Sequence, residues 1–193
     1  IDWHWQGTDK QKFRLFYTFP VQRLFSGKAL DNEARFDKEH KEVRFWGAYY
    51  APDKLPWGDQ LELYFLGLHR KDVTGVLSIL DRDLFTPGLR LYRKPKINQF
   101  DYQVESVFQF GESRSLRTST TDLYHLAYFH HAEIGYSFAA RWSPRLIFQY
   151  DYASGDDDPN DGDNNRFDTL YGARRFDFGP TGIYGPFARA NLN

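Results

Sequence analysis

The most acidic stretch of the chain has residue types that bind calcium. It runs from Asp156 to Asn164, and a hard cation such as Ca²⁺ prefers several carboxylate and carbonyl oxygens. The stretch is not an EF-hand, because placing Gly162 at the invariant glycine of that loop puts a ligand position on Pro159. A solvated turn rich in Asp, Asn and Gly is the alternative. The candidate calcium ligands are Asp156, Asp158, Asn160 and Asp161.

The histidines do not form a recognisable catalytic or metal-binding group. His125, His130 and His131 are close in sequence, but neighbours along a strand point to opposite faces, so His130 and His131 cannot hold one metal ion together. A Ser-His-Asp triad is recognised by its geometry, and the sequence singles out no nucleophile. We therefore expect no enzymatic activity and no cofactor other than the calcium considered above.

Arginines in the glycine-rich C-terminal stretch are candidates for contact with a polyanion. Arg174 and Arg175 are adjacent, and Arg189 follows them. A planar guanidinium group can form two parallel hydrogen bonds with one carboxylate. Arg114 and Arg117 could make the same contact, although ordinary surface charge explains each of these residues equally well.

The composition favours a β-structure in which apolar and polar residues alternate. Aromatic residues make up 19% and charged residues 26% of the chain, and the mean hydropathy is −0.67. The net charge of −1 gives no bulk attraction to nucleic acid. The sequence has no cysteine, which excludes disulfides, and no apolar run of about 18 residues that would form a membrane-spanning helix. An aromatic-rich soluble β-domain is the alternative.

Period-two alternation predicts that β-strands position these side chains. The clearest strand runs from Phe100 to Phe110, where apolar side chains oppose Asp101, Gln103 and Glu105. No segment keeps a helical period of 3.6 residues, so we predict an all-β fold with an antiparallel up-and-down meander. The predicted strands are residues 12–19, 42–51, 60–70, 88–93, 100–110, 124–138 and 145–153, with 187–193 as the start of an eighth.

The connections between these strands alternate between long and short. Outer-membrane β-barrels have long extracellular loops and short periplasmic turns, whereas a soluble barrel has no reason to sort its loops by side. The alternation therefore predicts part of a transmembrane β-barrel. The long connections are residues 20–41, 71–87, 111–123 and 154–186, and the short ones are 52–59, 94–99 and 140–144.

In such a barrel the apolar face of each strand contacts lipid and the polar face lines a wet lumen. Arg14, Arg44 and Arg90 are accordingly predicted to line the pore. His130 falls on the lipid face, which a β-bulge at His130 and His131 or a shift of register would correct. The predicted lipid-facing residues are Phe13, Leu15, Val43, Phe45, Leu61, Leu63, Val104, Phe108, Leu146 and Phe148, and the predicted lumen also carries Glu62, Gln103, Glu105 and Gln149.

The C-terminal third resembles the alginate export family of outer-membrane channels. Residues 148–159, FQYDYASGDDDP, lead into Asn160-Asp161-Gly162 and then into residues 167–171, FDTLY. Residues 179–184 and 187–191, together with residues 135–138, are similar to that family as well. The resemblance implies a monomeric barrel of about eighteen strands, a size at which the lumen stays open. It also implies a basic constriction and loops that partly close the pore.

The resemblance further implies the substrate and the partners. The substrate would be an anionic polysaccharide of the alginate type, a uronate polymer, and the partners would be outer-membrane lipid, lipopolysaccharide and periplasmic export proteins. Cations that bridge lipopolysaccharide are a variant of the calcium hypothesis. The predicted lumen departs from the family picture, because its basic and acidic residues are balanced. The basic ones are Lys12, Arg14, Arg44, Arg70, Arg90 and Arg145, and the acidic ones are Glu42, Glu62, Asp101, Glu105, Glu133 and Asp151.

We therefore predict that residues 1–193 are a single segment of a transmembrane β-barrel, cut at both ends. Its predicted location is the cell outer membrane, and its predicted function is export of an anionic polysaccharide by passive diffusion. A generic substrate-uptake porin is the first alternative. A soluble carbohydrate-binding β-barrel is the second.

Overall fold

A computed structural model describes residues 1–7, 11–22, 38–39, 41–53, 55–56, 58–71, 80–116 and 119–171 of the protein. Every regular element in these residues is a β-strand. This part of the chain contains no helix long and apolar enough to cross a membrane. The strands are β1 (Asp2–Gln6), β2 (Lys12–Thr18), β3 (Val21–Gln22), β4 (Lys38–Glu39), β5 (Val43–Ala51), β6 (Gln60–Arg70), β7 (Arg82–Arg93), β8 (Phe100–Ser113), β9 (Leu123–Ser137), β10 (Arg145–Ala153) and β11 (Asp163–Asn164).

The long strands form one antiparallel meander in the order β1-β2-β5-β6-β7-β8-β9-β10. The short strands β3 and β4 pair with each other between β2 and β5, and β11 pairs with β9 in parallel. This order confirms the predicted all-β up-and-down fold, and the open sheet of described strands is consistent with part of a barrel. We call the edge of the sheet with the connections 7–11, 52–59, 94–99 and 138–144 the turn end, and the opposite edge the loop end.

Two of the longer strands differ clearly from the sequence prediction, which also does not include the two-residue strands β3, β4 and β11. The sequence analysis misses β1, in which the exposed Trp3 and Trp5 alternate with Asp2 and His4. Strand β7 begins at Arg82, well before the predicted start at residue 88. The predicted eighth strand, residues 187–193, lies outside the described residues.

Pro87 lies inside β7, where the sequence analysis places the end of a loop. It pairs with Phe65 of β6, but the ladder between β7 and β8 is interrupted at Thr86 and Pro87. Proline has no N–H to donate and is tolerated in a strand only where a ladder hydrogen bond can be missing. Strand β7 therefore continues through Pro87, which keeps its pairing with β6 but not with β8.

The two faces of the sheet differ in exposure. Directly paired residues share a face, and the face that carries Arg14, Glu62 and Arg90 also carries the buried strand residues. We call it the inner face, and the opposite one the outer face. Buried residues of the inner face include Val43, Leu68, Leu84, Val107, Ala127 and Phe129, whereas the outer face exposes Leu15, Leu63, Leu89, Val104, Phe108, Leu146 and Phe148.

His130 remains on the outer face without a β-bulge. It pairs directly with Ser106 of β8 and with Tyr152 of β10. The Nδ1 atom of His130 lies 3.1 Å from the Ser106 hydroxyl oxygen. Neither the β-bulge nor the shift of register considered in the sequence analysis is therefore present, because a polar partner directly opposite accommodates the imidazole in regular pairing.

Candidate functional site

Arg14 and Arg90 lie on the inner face, where the alternation of the sequence predicts them. Arg14 pairs across the sheet with Tyr49, and Arg90 pairs with Glu62. Both arginines are closer to the turn end than to the loop end of their strands. Their position fits a pore wall, and their part in transport stays a prediction.

Arg44 lies on the outer face, so the prediction that it lines the pore is wrong. It pairs with His69 near the loop end, while Val43 and Phe45 point inward. The reason is that β5 is apolar on both faces and the inner face is covered at this end, where the Phe45 ring lies 5.2 Å from the ring of Tyr171. The single charge of the strand then points outward.

Arg90 is the centre of a polar cluster on the inner face. Its Nη1 donates to Glu62 Oε2 over 3.3 Å and its Nη2 donates to Gln103 Oε1 over 2.6 Å. The Tyr92 ring lies 4.7 Å from the guanidinium carbon, and the Tyr92 hydroxyl donates to the other Glu62 oxygen over 3.1 Å. Three neighbouring strands thus hold the guanidinium group in one orientation.

Arg14 forms a bidentate pair with Asp2 of the neighbouring strand. The two nitrogen–oxygen distances are 3.0 and 2.8 Å, and His4 Nε2 lies 3.2 Å from the same carboxylate. Both partners are exposed. The pair therefore contributes little to stability, and its guanidinium group is accessible from the lumen side.

Arg145 of β10 binds two carboxylates, one on the adjoining strand β9 and one on β8 beyond it. It forms an ion pair with Asp101, and its Nη2 lies 2.7 Å from Glu133 Oε1. Asp101 is only 1% exposed, so this carboxylate depends on the arginine for compensation of its charge.

A further hydrogen bond on the inner face joins a tyrosine of β6 to a glutamate of β8. The Tyr64 hydroxyl donates to Glu105 Oε1 over 2.5 Å, and the Tyr64 ring lies over Gly88, where an added Cβ would approach the ring to 2.2 Å. Only glycine leaves this space for the ring. We call the turn-end half of the inner face the polar band, and its members are Asp2, Arg14, Glu62, Tyr64, Arg90, Tyr92, Asp101, Gln103, Glu105, Glu133 and Arg145.

Residues 163–171, which we call the strap, cover the loop-end half of the inner face. Gln109 of β8 holds the strap backbone, because its Nε2 donates to Asp168 O over 3.1 Å and its Oε1 accepts from Asp168 N over 2.9 Å. The same amide donates to Thr86 Oγ1 over 3.0 Å and lies 2.9 Å from His125 Nε2. Arg82 forms an ion pair with the Asp168 carboxylate. A buried glutamine thus uses all of its hydrogen-bonding positions.

Apolar side chains of the strap seal it against the wall. Leu170 forms the buried cluster of the described residues together with two leucines of β6 and β7. In this cluster Leu170 packs against Leu68 and Leu84. Two ring contacts flank it, Tyr171 with Phe45 at 5.2 Å and Phe167 with Phe129 at 5.5 Å.

Apart from Ser106 and His130, the outer face carries mainly apolar side chains between two polar boundaries. Near the turn end, Arg93 and Tyr102 bind the carboxylate of Asp59, with an Arg93 Nε distance of 2.7 Å. Asp59 of this boundary and His69 of the upper one are ten positions apart in the chain, or about 34 Å along a strand. With a tilt of about 40° the height becomes about 26 Å, close to the 25 Å apolar band of outer-membrane barrels. The upper boundary is the cross-strand row Arg44, His69, Asp83, Glu112 and Tyr124.

The acidic stretch forms turns stabilised by its own side chains. Asp158 Oδ1 accepts from Asn160 N over 3.0 Å, and Asp161 Oδ1 accepts from Asp163 N over 2.9 Å. Among the described residues, no group of three or more His, Cys, Asp or Glu side chains is arranged to hold a metal ion. Calcium binding by Asp156, Asp158, Asn160 and Asp161 stays a prediction.

Of the loop arginines considered for contact with a polyanion, Arg114 lies within the described residues. Arg114 is paired with Asp81 at 2.8 Å and with Asp122 at 2.6 Å. Arg117, Arg174, Arg175 and Arg189 lie outside the described residues.

The sequence analysis missed the strap and its anchor, Gln109. A weak signal was present, because residues 167–171, FDTLY, alternate between large apolar and polar side chains beside an acidic stretch. The pairing of Asp168 with Gln109 and Arg82 joins distant parts of the sequence, so local patterns do not contain it.

Comparison with known families gives one match. The sequence model of the alginate export family matches residues 1–193, the whole length of the chain. The comparisons with characterised proteins and with solved structures give no match.

Proposed function

Because the chain belongs to the alginate export family, whose members are outer-membrane porins that export polysaccharide and are not enzymes, we propose that its inner face conducts an anionic, uronate-type polymer by passive diffusion. The polar band is the observation that carries this proposal. Its arginines point to the lumen side and are held in place by neighbouring strands. We also propose that the barrel works as a monomer among lipopolysaccharide molecules, supplied by periplasmic export partners.

Paired arginines suit the passage of a polyanion. A polymer carboxylate that approaches Arg90 competes with Glu62, whose pair with the arginine is 3.3 Å long and partly exposed. The exchange replaces one carboxylate by another, so the gain at each step is small. Conduction requires sites that are favourable enough to enter and weak enough to leave. Partial neutralisation of each arginine therefore favours movement along the wall over trapping.

The balance of charge favours a second candidate, a generic substrate-uptake porin. The polar band contains the arginines Arg14, Arg90 and Arg145, but also five carboxylates. A wall without excess positive charge is what a pore of low selectivity would have. Ion selectivity of the full-length protein separates the two candidates.

The test combines Arg14→Gln and Arg90→Gln in the full-length protein in planar bilayers. Removing both guanidinium groups leaves Asp2 and Glu62 uncompensated, so the reversal potential in a salt gradient should move from anion-selective toward cation-selective. Polymer secretion should fall in parallel. Arg44→Gln is the matched control, because it removes the same charge from the outer face and should leave both measurements unchanged.

Restoring neutrality sharpens this test. Adding Glu62→Gln to Arg90→Gln removes the whole pair and should return most of the lost anion selectivity. A wild-type protein without anion preference, or a double variant with wild-type selectivity and secretion, contradicts the proposal and favours the uptake porin. Neutralising Arg174 and Arg175, which lie outside the described residues, should have a smaller effect that fades at high salt.

A further inference from the structure

A cavity of about 550 Å³ lies at the loop end, between the strap and the wall. The strap contributes Asn164, Arg166 and Phe167, and the wall contributes Ser113 and His125. Its size is within the range of small-molecule sites, about 300 to 1,000 Å³. The cavity exists because the strap folds onto the inner face, and it lies beyond the polar band on the way to the loop end.

Most charged groups around this cavity are already neutralised. Arg82 pairs with Asp168, and Arg114 is shared between Asp81 and Asp122. These pairs fix the walls of the cavity. They leave little free charge for a ligand.

Two charged groups of the lining remain without such a partner within the described residues. Arg166 is exposed and forms no ion pair there. Asp156 Oδ1 is buried and accepts no hydrogen bond. A carboxylate oxygen without a donor is unfavourable in a folded protein, so Asp156 has an acceptor to offer to a ligand that lies in the cavity.

We propose that this cavity is a binding subsite for one acidic sugar unit of the exported polymer, with Arg166 and Asp156 as its polar contacts. The Arg166 fork binds the uronate carboxylate, and Asp156 accepts a hydrogen bond from a sugar hydroxyl. The Phe167 ring, which is stacked on Phe129, offers an apolar surface to the C–H groups of the pyranose ring. The inference rests on the proposed function, since it takes the polymer from there.

The lining explains why the ligand is a sugar acid and not a simple anion or a cation. An anion alone would satisfy Arg166 and leave Asp156 without a donor. A cation alone would satisfy Asp156 and repel Arg166. A uronate unit supplies both a carboxylate and hydroxyl donors on one ring. Because one arginine faces the ligand, binding is weak enough for release at the mouth.

The test measures binding of a uronate tetrasaccharide to the purified full-length protein by titration calorimetry, with a glucose tetrasaccharide as the neutral probe. Arg166→Gln should weaken uronate binding about tenfold or more. Asp156→Asn should weaken it several-fold, because an amide oxygen is a poorer acceptor than a carboxylate. Arg141→Gln, an exposed arginine at the turn end, is the matched control and should bind as the wild type does.

Two results with the variants overturn the subsite. One is wild-type affinity in both Arg166→Gln and Asp156→Asn, and the other is an equal loss in Arg141→Gln. Equal binding of the uronate and neutral probes by the wild type also contradicts the assignment of Arg166. The reversal potential of the wild type distinguishes this failure from that of the proposed function. If the wild-type channel is anion-selective and both cavity variants bind normally, only the subsite is refuted. If the wild-type channel is not anion-selective, the transport proposal is refuted.

Discussion

The two halves of the inner face use the same strands in opposite ways. The turn-end half is the polar band, where guanidinium groups and carboxylates from neighbouring strands hold one another at the surface. The loop-end half is covered by the strap, with Leu170 buried against Leu68 and Leu84 beside the buried polar network of Gln109. The register is continuous from one half to the other, so the difference comes from side chains and not from the backbone.

The comparison shows how a single layer of strands acquires both a water-lined wall and a packed core. One face of the sheet has no second layer of strands in the described residues, yet its loop-end half buries leucines as fully as a soluble domain does. The strap supplies the missing layer at that end only. At the other end the wall stays polar, and its charges are satisfied within the sheet.

The largest expected effect is a loss of stability when the packing beneath the strap is disturbed. Leu84 is fully buried beneath the strap, so Leu84→Ala should lower the free energy of unfolding by about 2 to 5 kcal/mol. Urea unfolding of the full-length protein in lipid vesicles measures this change. Leu89→Ala on the outer face of the same strand is the control, because lipid chains fill the space and the loss should be smaller. Equal losses would show that the strap does not seal the wall.

A somewhat smaller effect is expected from placing a charge on the outer face. Phe108 is 50% exposed and lies midway between the two polar boundaries. Phe108→Arg should therefore cost about 2 to 4 kcal/mol of unfolding free energy in vesicles. Gln103→Arg places the same charge on the inner face of the same strand and should cost much less. A cost near zero for Phe108→Arg would show that this face is not in lipid.

The smallest expected effects compare two ion pairs of the polar band. Arg145→Gln leaves the buried Asp101 without its cation and should cost about 1.5 to 3 kcal/mol. Arg14→Gln breaks an exposed pair with Asp2 and should cost less than about 1 kcal/mol. Adding Asp101→Asn to Arg145→Gln should recover part of the loss. The same unfolding assay would contradict this contrast if the two arginines cost equal amounts.

The sequence predicts the sheet well where each strand has one polar and one apolar face. Residues 100–110 of β8 carry their charges on one side, and the structure places Val104 and Phe108 outward as predicted. The sorting of long and short connections likewise predicts the order of the meander, because antiparallel neighbours place alternate connections at opposite edges.

Strand β5 was predicted in the wrong phase for a physical reason. Its residues, VRFWGAYYA, are apolar on both faces, and the one charge, Arg44, was taken to mark the lumen side. The strap instead covers the inner face beside β5 and packs Tyr171 against Phe45, two residues that are far apart in sequence. Alternation within a strand cannot report a covering segment that comes from elsewhere in the chain.

The candidate site was predictable only in part. The inward positions of Arg14 and Arg90 follow from alternation, but their partners depend on register, which no local pattern fixes. The cavity lined by Arg166 and Asp156 depends on how the strap folds. The sequence shows that these residues are present, but not that they line one cavity.

The interrupted ladder at Pro87 has a mechanical consequence. Between β7 and β8 the backbone bonds are missing beside Thr86 and Pro87, and the Gln109 side chain bridges this seam to Thr86 over 3.0 Å. The same amide grips the backbone of Asp168. A pull on the strap therefore reaches the interrupted ladder through the Gln109 side chain, alongside the contacts that Asp168 and Leu170 make with the wall.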